Sequence, residues 1–191
     1  MPTSITGSGL INGLELPTDS LKGGLVLVNQ ESFTSVSSVS FDNCFTSEYD
    51  HYRVIGNLSG ASTNIEVRAR TRLSGTDDSG SNYYTSLYYI GTTGAAAGST
   101  VGTVDTSWRF LFATDSTDAT NNVVMDFHTP LSGKRKQAEG LSSTRNPSAV
   151  GYGYVLFYNK INTTNYDGLT LIGVTGTFSG TISIYGYRNG I

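Results

Sequence analysis

One cysteine, Cys44, stands in 191 residues, so no internal disulfide can staple this chain. Its fold has to rest on packing alone or on association with other copies. Charge is scarce as well: Asp, Glu, Lys and Arg make up 14% of the residues, where soluble domains carry about 25%. The net charge of −3 gives no general attraction to a polyanion, which excludes nucleic acid as an expected partner. No run of about 18 apolar residues is present, so no membrane-inserting helix is expected. The start, Met1-Pro2-Thr3-Ser4-Ile5, lacks the basic and apolar stretches of a signal peptide, and synthesis in the cytoplasm is the expectation. Two histidines, His51 and His128, with one cysteine fall short of the three or four closely spaced ligands of a zinc centre. No Gly-x-Ser-x-Gly elbow and no phosphate-cradling glycine loop before a helix occurs. The expectation is a protein without catalytic residues, metal or cofactor, and not an enzyme.

What the chain has instead is glycine, 23 copies, with Ser, Thr and Asn, β-branched residues and 12 tyrosines. That mixture suits strands and turns and suits helices poorly. Apolar residues never hold a 3.6-residue period for three turns, and the one helical suggestion is a turn near Cys44 to Asp50. Strand signals recur from Gly24 onward. Leu25 to Val28 is a short apolar run. Tyr52, Val54 and Leu58 alternate with Arg53, Ile55 and Asn57. Ile65, Val67, Ala69, Thr71 and Leu73 alternate with Glu66, Arg68, Arg70 and Arg72. Asn82 to Ile90 is rich in tyrosine. Trp108, Phe110 and Phe112 mark an inner face, as do Val123, Met125 and Phe127. Tyr152, Tyr154, Leu156 and Tyr158 alternate with Val155 and Phe157, and Leu169 to Val174 and Gly180 to Arg188 close the series. Asp77 to Gly80, Gly91 to Gly98, Asp115 to Asn122 and Asn162 to Gly168 read as turns. Eight or nine strands at this spacing predict an all-β, antiparallel two-sheet sandwich, most simply a jelly roll, over 24–191. A trimer sharing strands between chains is the rival architecture.

Residues 1–23 differ in composition, with isolated apolar residues at Leu10, Ile11, Leu14, Leu16 and Leu21. They cannot close a core alone, and read either as a frayed terminus or as an extended arm docking onto a partner. Among candidate binding residues, Arg68, Arg70 and Arg72 share one strand face and need acidic neighbours, a subunit interface or an anionic ligand opposite them. Lys134, Arg135 and Lys136 form the one basic run, in a polar stretch from Ser132 to Pro147 that reads as a long loop. Asp77, Asp78, Asp115 and Asp118 are turn residues with an oxygen chemistry that suits calcium, but without EF-hand spacing. Alternation sends Tyr83 and Tyr89 to one face and Tyr84 and Tyr88 to the other. Tyr84, Tyr88 and Trp108 are therefore candidates for sugar stacking or for an interface.

Several segments resemble jelly-roll modules of bacteriophage structural proteins. Phe178-Ser179-Gly180-Thr181-Ile182-Ser183-Ile184-Tyr185-Gly186-Tyr187-Arg188 is similar to their closing strand. Phe45 to Val54, holding Tyr49-Asp50-His51-Tyr52-Arg53, followed by the Arg-rich Ile65 to Arg70 and then Ser81-Asn82-Tyr83-Tyr84, is similar to their earlier strands. Ile5-Thr6-Gly7 to Leu16-Pro17 looks like the arms that open phage fibre and head-appendage proteins, those of cyanophages especially. The resemblance implies a virion surface protein of the fibre, appendage or decoration type. It would be a homo-oligomer, commonly a trimer, mounted on other virion proteins by its N-terminal arm and without catalytic residues. Host-surface glycans are the ligand class in view, and a free carbohydrate-binding module is the alternative reading.

Overall fold

The computed structural model of the chain describes residues 10–11, 14–15, 24–59, 65–91, 97–100, 102, 104–113, 121–145 and 151–188. All regular structure among them is β-strand: β1 (Leu10–Ile11), β2 (Leu14–Glu15), β3 (Gly24–Val36), β4 (Ser38–Phe41), β5 (His51–Ser59), β6 (Ile65–Leu73), β7 (Thr76–Asp77), β8 (Tyr83–Gly91), β9 (Ala97–Thr100), β10 (Val104–Asp105), β11 (Trp108–Ala113), β12 (Asn121–His128), β13 (Lys136–Arg145), β14 (Gly151–Lys160), β15 (Gly168–Gly173) and β16 (Phe178–Arg188). They form an antiparallel sandwich. The large sheet runs β10-β8-β14-β13-β12-β5-β16-β3, with β9 beside β8, and the small sheet β11-β6-β15-β4, with β7 beside β6.

Eight of these strands wind as a jelly roll: β3, β16, β5 and β12 in one sheet, and β4, β15, β6 and β11 in the other. Two excursions enlarge it. One leaves between β6 and β11 and supplies β8; the other leaves between β12 and β15 and supplies β13 and β14. Both add to the same edge, so β13, β14 and β8 widen the large sheet beyond β12.

Alternation decides what is buried. The large sheet turns Tyr52, Val54, Leu58, Val123, Met125, Phe127, Leu156, Ile182 and Ile184 inward, and the small sheet turns Ile65, Val67, Ala69, Leu169 and Leu171 to meet them. Trp108 joins the two layers. Its ring is fully buried, 5.1 Å from Tyr83, 5.3 Å from Phe127 and 5.7 Å from Tyr158, and its Nε1 donates to the Asn159 carbonyl at 3.0 Å. The stretch between β4 and β5 forms turns rather than a helix. Tyr52 Oη pins it by accepting from Thr46 N and donating to Thr46 O, both at 2.6 Å. The Tyr49 ring lies flat on Gly186, where any side chain would strike it. Cys44 is buried as a free thiol, with desolvation pushing its pKa up to about 12.

The sequence expectations need several corrections. Within the predicted loop, Lys136–Arg145 is instead a central strand, whose inward residues, Ala138, Gly140, Ser142 and Thr144, are too small or polar to signal one. Polar Asn29 to Val36 extends the first predicted strand along the sheet edge, and Ser38–Phe41 forms a strand of its own. On β11 a bulge between Arg109 and Leu111 sets Leu111 opposite Val67, so Leu111 is buried along with Trp108 and Phe110, while the side chain of Phe112 lies outside the described residues. Both sheets of the two-sheet sandwich are formed by strands of one chain, as the primary reading expects.

Two buried side-chain atoms have no hydrogen-bond partner among the described residues, Asn162 Oδ1 and the Tyr158 hydroxyl, the latter packed against Trp108. A buried unsatisfied hydroxyl costs about 1–3 kcal/mol, and removing it keeps the ring packing. Tyr158→Phe should therefore raise the unfolding free energy by up to about that amount in urea denaturation; a clear loss of stability would contradict this account of the core.

Candidate functional site: the outer face of the large sheet

The two outer faces of the sandwich differ in chemistry. The small sheet exposes Arg68, Arg70 and Arg72, and the chain answers them itself. Arg68 pairs with Glu66 at 3.1 Å and Asp105 at 2.6 Å, Arg72 with Asp42 at 2.8 Å and with Asp77, and Arg70 donates to the Thr106 carbonyl at 3.0 Å. Arg68 and Arg72 are thus matched by carboxylates of the same chain, while Arg70 is held by the neutral oxygens of Thr106. Asp77 is also engaged there, accepting from Arg72 and from Thr170.

The outer face of the large sheet is different. Cross-strand register aligns its outward side chains in rows. One row is Tyr88, Val155, Leu141, Val124 and Ile55, on the adjacent strands β8, β14, β13, β12 and β5. At ~4.8 Å per strand the row spans roughly 19 Å. Leu141 is 61% exposed and Tyr88 49%, and beside the row Phe157 is 55% exposed and Ile90 54%. A contiguous exposed apolar patch on a β-sheet marks an interaction surface.

Below this stripe lies a polar row, Tyr84, Asn159, Gln137, His128 and His51, on the same five strands. Its β8 end opens into a hollow of roughly 430 Å³ lined by Tyr84, Ser86, Arg135, Gln137 and Asn159, with Lys160 at its floor. An aromatic face beside amides, a hydroxyl and a guanidinium is a combination that holds polyhydroxylated ligands. Its other end carries the His51–His128 pair beside a bidentate Arg53–Asp126 bridge, with Arg53 Nε and Nη2 at 2.8 and 2.6 Å from the Asp126 oxygens. Tyr187 Oη donates to the same carboxylate at 2.8 Å. Burial alone would raise the Asp126 pKa; the bonds from Arg53 and Tyr187 outweigh it and hold the carboxylate below its ordinary range.

Beneath the hollow is a buried ionic knot that the sequence did not single out. Lys160 occupies an inward position of β14 and is fully buried. Its ammonium pairs with Asp78 at 2.9 Å, donates to Asn82, and sits 3.3 Å from the centre of the Tyr83 ring. Asp78 also accepts from Tyr166 Oη and from Asn162 Nδ2. Desolvation pulls the Lys160 pKa down to about 8, against the opposing bond and charge of Asp78. Desolvation would raise Asp78, but the bonds from Tyr166, Lys160 and the Gly80 amide prevail and hold it far below the usual carboxylate range.

Of the other candidates, Tyr84 and Arg135 meet in the hollow and Tyr88 lies in the apolar stripe. Lys134 is exposed at the turn before β13. Trp108 is unavailable to any ligand because its indole is in the core. Lys136 is likewise removed from the surface, with its amine donating to the carbonyls of Ser132 and Lys134. Leu10 and Ile11 lie on β1 and Leu14 on β2, which pair as a two-stranded ribbon; their side chains, and Leu16, lie outside the described residues, as do Asp115 and Asp118. Among the described residues no group of three or more His, Cys, Asp or Glu is arranged to hold a metal ion, and no helix is long and apolar enough to cross a membrane.

No family model and no curated protein matches the chain. A solved structure, the E230A variant of a fructofuranosidase from Schwanniomyces occidentalis complexed with fructosylnystose, aligns at 9% identity with a TM-score of 0.26. The alignment covers 92% of this chain but 35% of that enzyme, a likeness too slight to carry an argument about fold or activity.

Asp78→Asn leaves the buried Lys160 ammonium without its counter-charge and should cost about 3–5 kcal/mol of stability at neutral pH. Because Asp78 titrates lower folded than unfolded, its contribution is present above about pH 4, the unfolded carboxylate range, and is lost as pH falls toward its folded value. Unfolding measured across the acid range should show a shallower decline for the variant; identical slopes would remove Asp78 from the acid response.

Proposed function

We propose that this chain is a non-enzymatic structural protein of a bacteriophage particle surface, of the fibre, appendage or decoration type, working as a homo-oligomer, with a trimer expected. The observation that carries the assembly reading is the apolar row Tyr88–Val155–Leu141–Val124–Ile55 with Phe157 beside it. Such a surface loses free energy at about 25 cal/mol for each Å² removed from water, and the internally paired Arg face opposite offers no comparable gain. A second copy is the occupant that suits it, since isologous or cyclic contacts let one patch serve every subunit.

The virion reading is supported by the placement of the segments that resemble phage modules: Tyr49 to Val54 leads into β5, the Arg-rich segment is β6, Ser81 to Tyr84 enters β8, and Phe178 to Arg188 is β16. The jelly roll is a fold used in viral capsids and lectins. Residues 1–23 would serve as the docking arm to other virion proteins. The Tyr84–Arg135 hollow, at the rim of the assembly face, is the place for a host-surface glycan, where repeated weak sites gain avidity from oligomerisation. A free carbohydrate-binding module draws support from that hollow alone, with Trp108 withdrawn into the core.

Light-scattering mass measurement on the full chain should give an oligomer, and Leu141→Glu with Phe157→Glu should dissociate it while leaving the monomer folded by circular dichroism. A wild-type monomer, or an oligomer indifferent to both charges, would defeat the assembly reading. On a glycan array the oligomer should bind saturably, and Tyr84→Ala and Arg135→Ala should each weaken that binding. Loss of signal in neither variant would detach the hollow from recognition.

A further inference from the structure

His51 and His128 are 77 residues apart in sequence and face each other in the fold as direct partners on β5 and β12. Both side chains lie on the outer face. Their rings are 5.3 Å apart and inclined at 74°, and Nδ1 of one is 3.3 Å from Nδ1 of the other. On the far side of His128, Nε2 lies 3.0 Å from Glu139 Oε2 of β13. A carboxylate only accepts, so Nε2 carries the proton, and the neutral His128 ring then presents its Nδ1 lone pair toward His51.

Two imidazole nitrogens bound to one tetrahedral zinc, each at 2.0–2.1 Å, are separated by roughly 3.3 Å. The pair is already at that spacing, held there by strand register rather than by loop residues. Neutral imidazole suits zinc and its transition-metal neighbours, whereas calcium and magnesium ask for oxygen ligands. A carboxylate on the outer nitrogen of a ligating histidine is the usual second partner, orienting the ring and raising its basicity. The surroundings suit a cation. A hollow of roughly 310 Å³ opens over the pair, lined by Asp126, Glu139 and Tyr187, with room for water as further ligands. Asp126 is committed to Arg53 and Tyr187, which leaves Glu139 as the carboxylate whose charge faces the histidines.

We propose that His51 and His128 form a two-imidazole site for a divalent transition-metal ion, with zinc the best geometric fit, Glu139 as the positioning carboxylate and water completing the coordination. With two protein ligands instead of the three or four of a dedicated zinc centre, the site holds its ion reversibly. The inference stands independently of the assembly and glycan readings.

The test is a titration of the full chain with zinc chloride at neutral pH, followed by calorimetry and by the histidine ring signals in nuclear magnetic resonance. One ion per chain should bind saturably and shift both histidines together, while calcium and magnesium leave them unmoved. His51→Gln and His128→Gln should each weaken binding roughly tenfold or more, and Glu139→Gln about 10–100-fold, the range for loss of such an outer partner. All three side chains are partly or largely exposed, and thermal unfolding without zinc checks that the variants remain folded. The proposal is overturned if the folded wild-type chain shows no saturable zinc binding, if the double His51→Gln/His128→Gln variant keeps it undiminished, or if zinc moves neither histidine. Zinc affinity unchanged in Glu139→Gln would remove Glu139 from the site.

Discussion

The register of β5 against β12 is the constraint on which the rest of the molecule depends. In that pairing Tyr52 lies opposite Phe127, Val54 opposite Met125 and Gly56 opposite Val123, all facing the core. The alternate positions set His51 against His128, Arg53 against Asp126 and Ile55 against Val124 on the outside. A slip of one residue would exchange the two sets, burying an ion pair and two histidines and exposing the centre of the core. The core therefore enforces the alignment that produces the outer face. Its apolar stripe, its ion pair and its histidine pair are all consequences of one set of backbone hydrogen bonds.

Charge content is low, and several of the charges that are present are closely paired. Arg68 and Arg72 each meet two carboxylates, Arg53 is held bidentately, and the buried Lys160 is enclosed by Asp78, Asn82 and a tyrosine ring. Surface pairs of this kind contribute little stability. The Lys160–Asp78 knot differs because neither charge is freely hydrated, so breaking it leaves an uncompensated ion. It ties the turn at 78–82 and the segment 162–166 to the end of β14, which fixes the floor of the hollow where Tyr84 and Arg135 meet. A buried ion pair is thus coupled to a surface that is a candidate for recognition.

Widening the jelly roll changes what the fold can do. Without β13, β14 and β8 the sheet would end at β12, and the apolar row would shrink to Ile55 and Val124. The two excursions supply Leu141, Val155, Phe157 and Tyr88, together with Glu139 at the histidine pair and every side chain of the Tyr84 hollow. The jelly-roll strands build the core, and the added strands build most of the surface through which the proposed contacts are made.

Strand identity was largely legible in the sequence, because a half-buried strand writes its period directly into residues such as Ile65-Glu66-Val67-Arg68-Ala69-Arg70. The all-β class, the two-sheet sandwich and the opposite facing of Tyr83 and Tyr84 follow from that local rule. β13 was not legible, since Ala138, Gly140, Ser142 and Thr144 fill narrow inward positions whose burial depends on neighbouring strands. Nor could composition tell that Lys136 is buried while Leu141 is exposed, because a carbonyl cluster and strand order decide those outcomes. The meeting of His51 with His128, and of Lys160 with Asp78, arises only when strands distant in sequence are brought into register. Sequence by itself determined periodicity, and with it secondary structure and the two faces of most strands. Tertiary structure alone decided which faces lie side by side, because cross-strand neighbours are set by long-range pairing that no local pattern encodes.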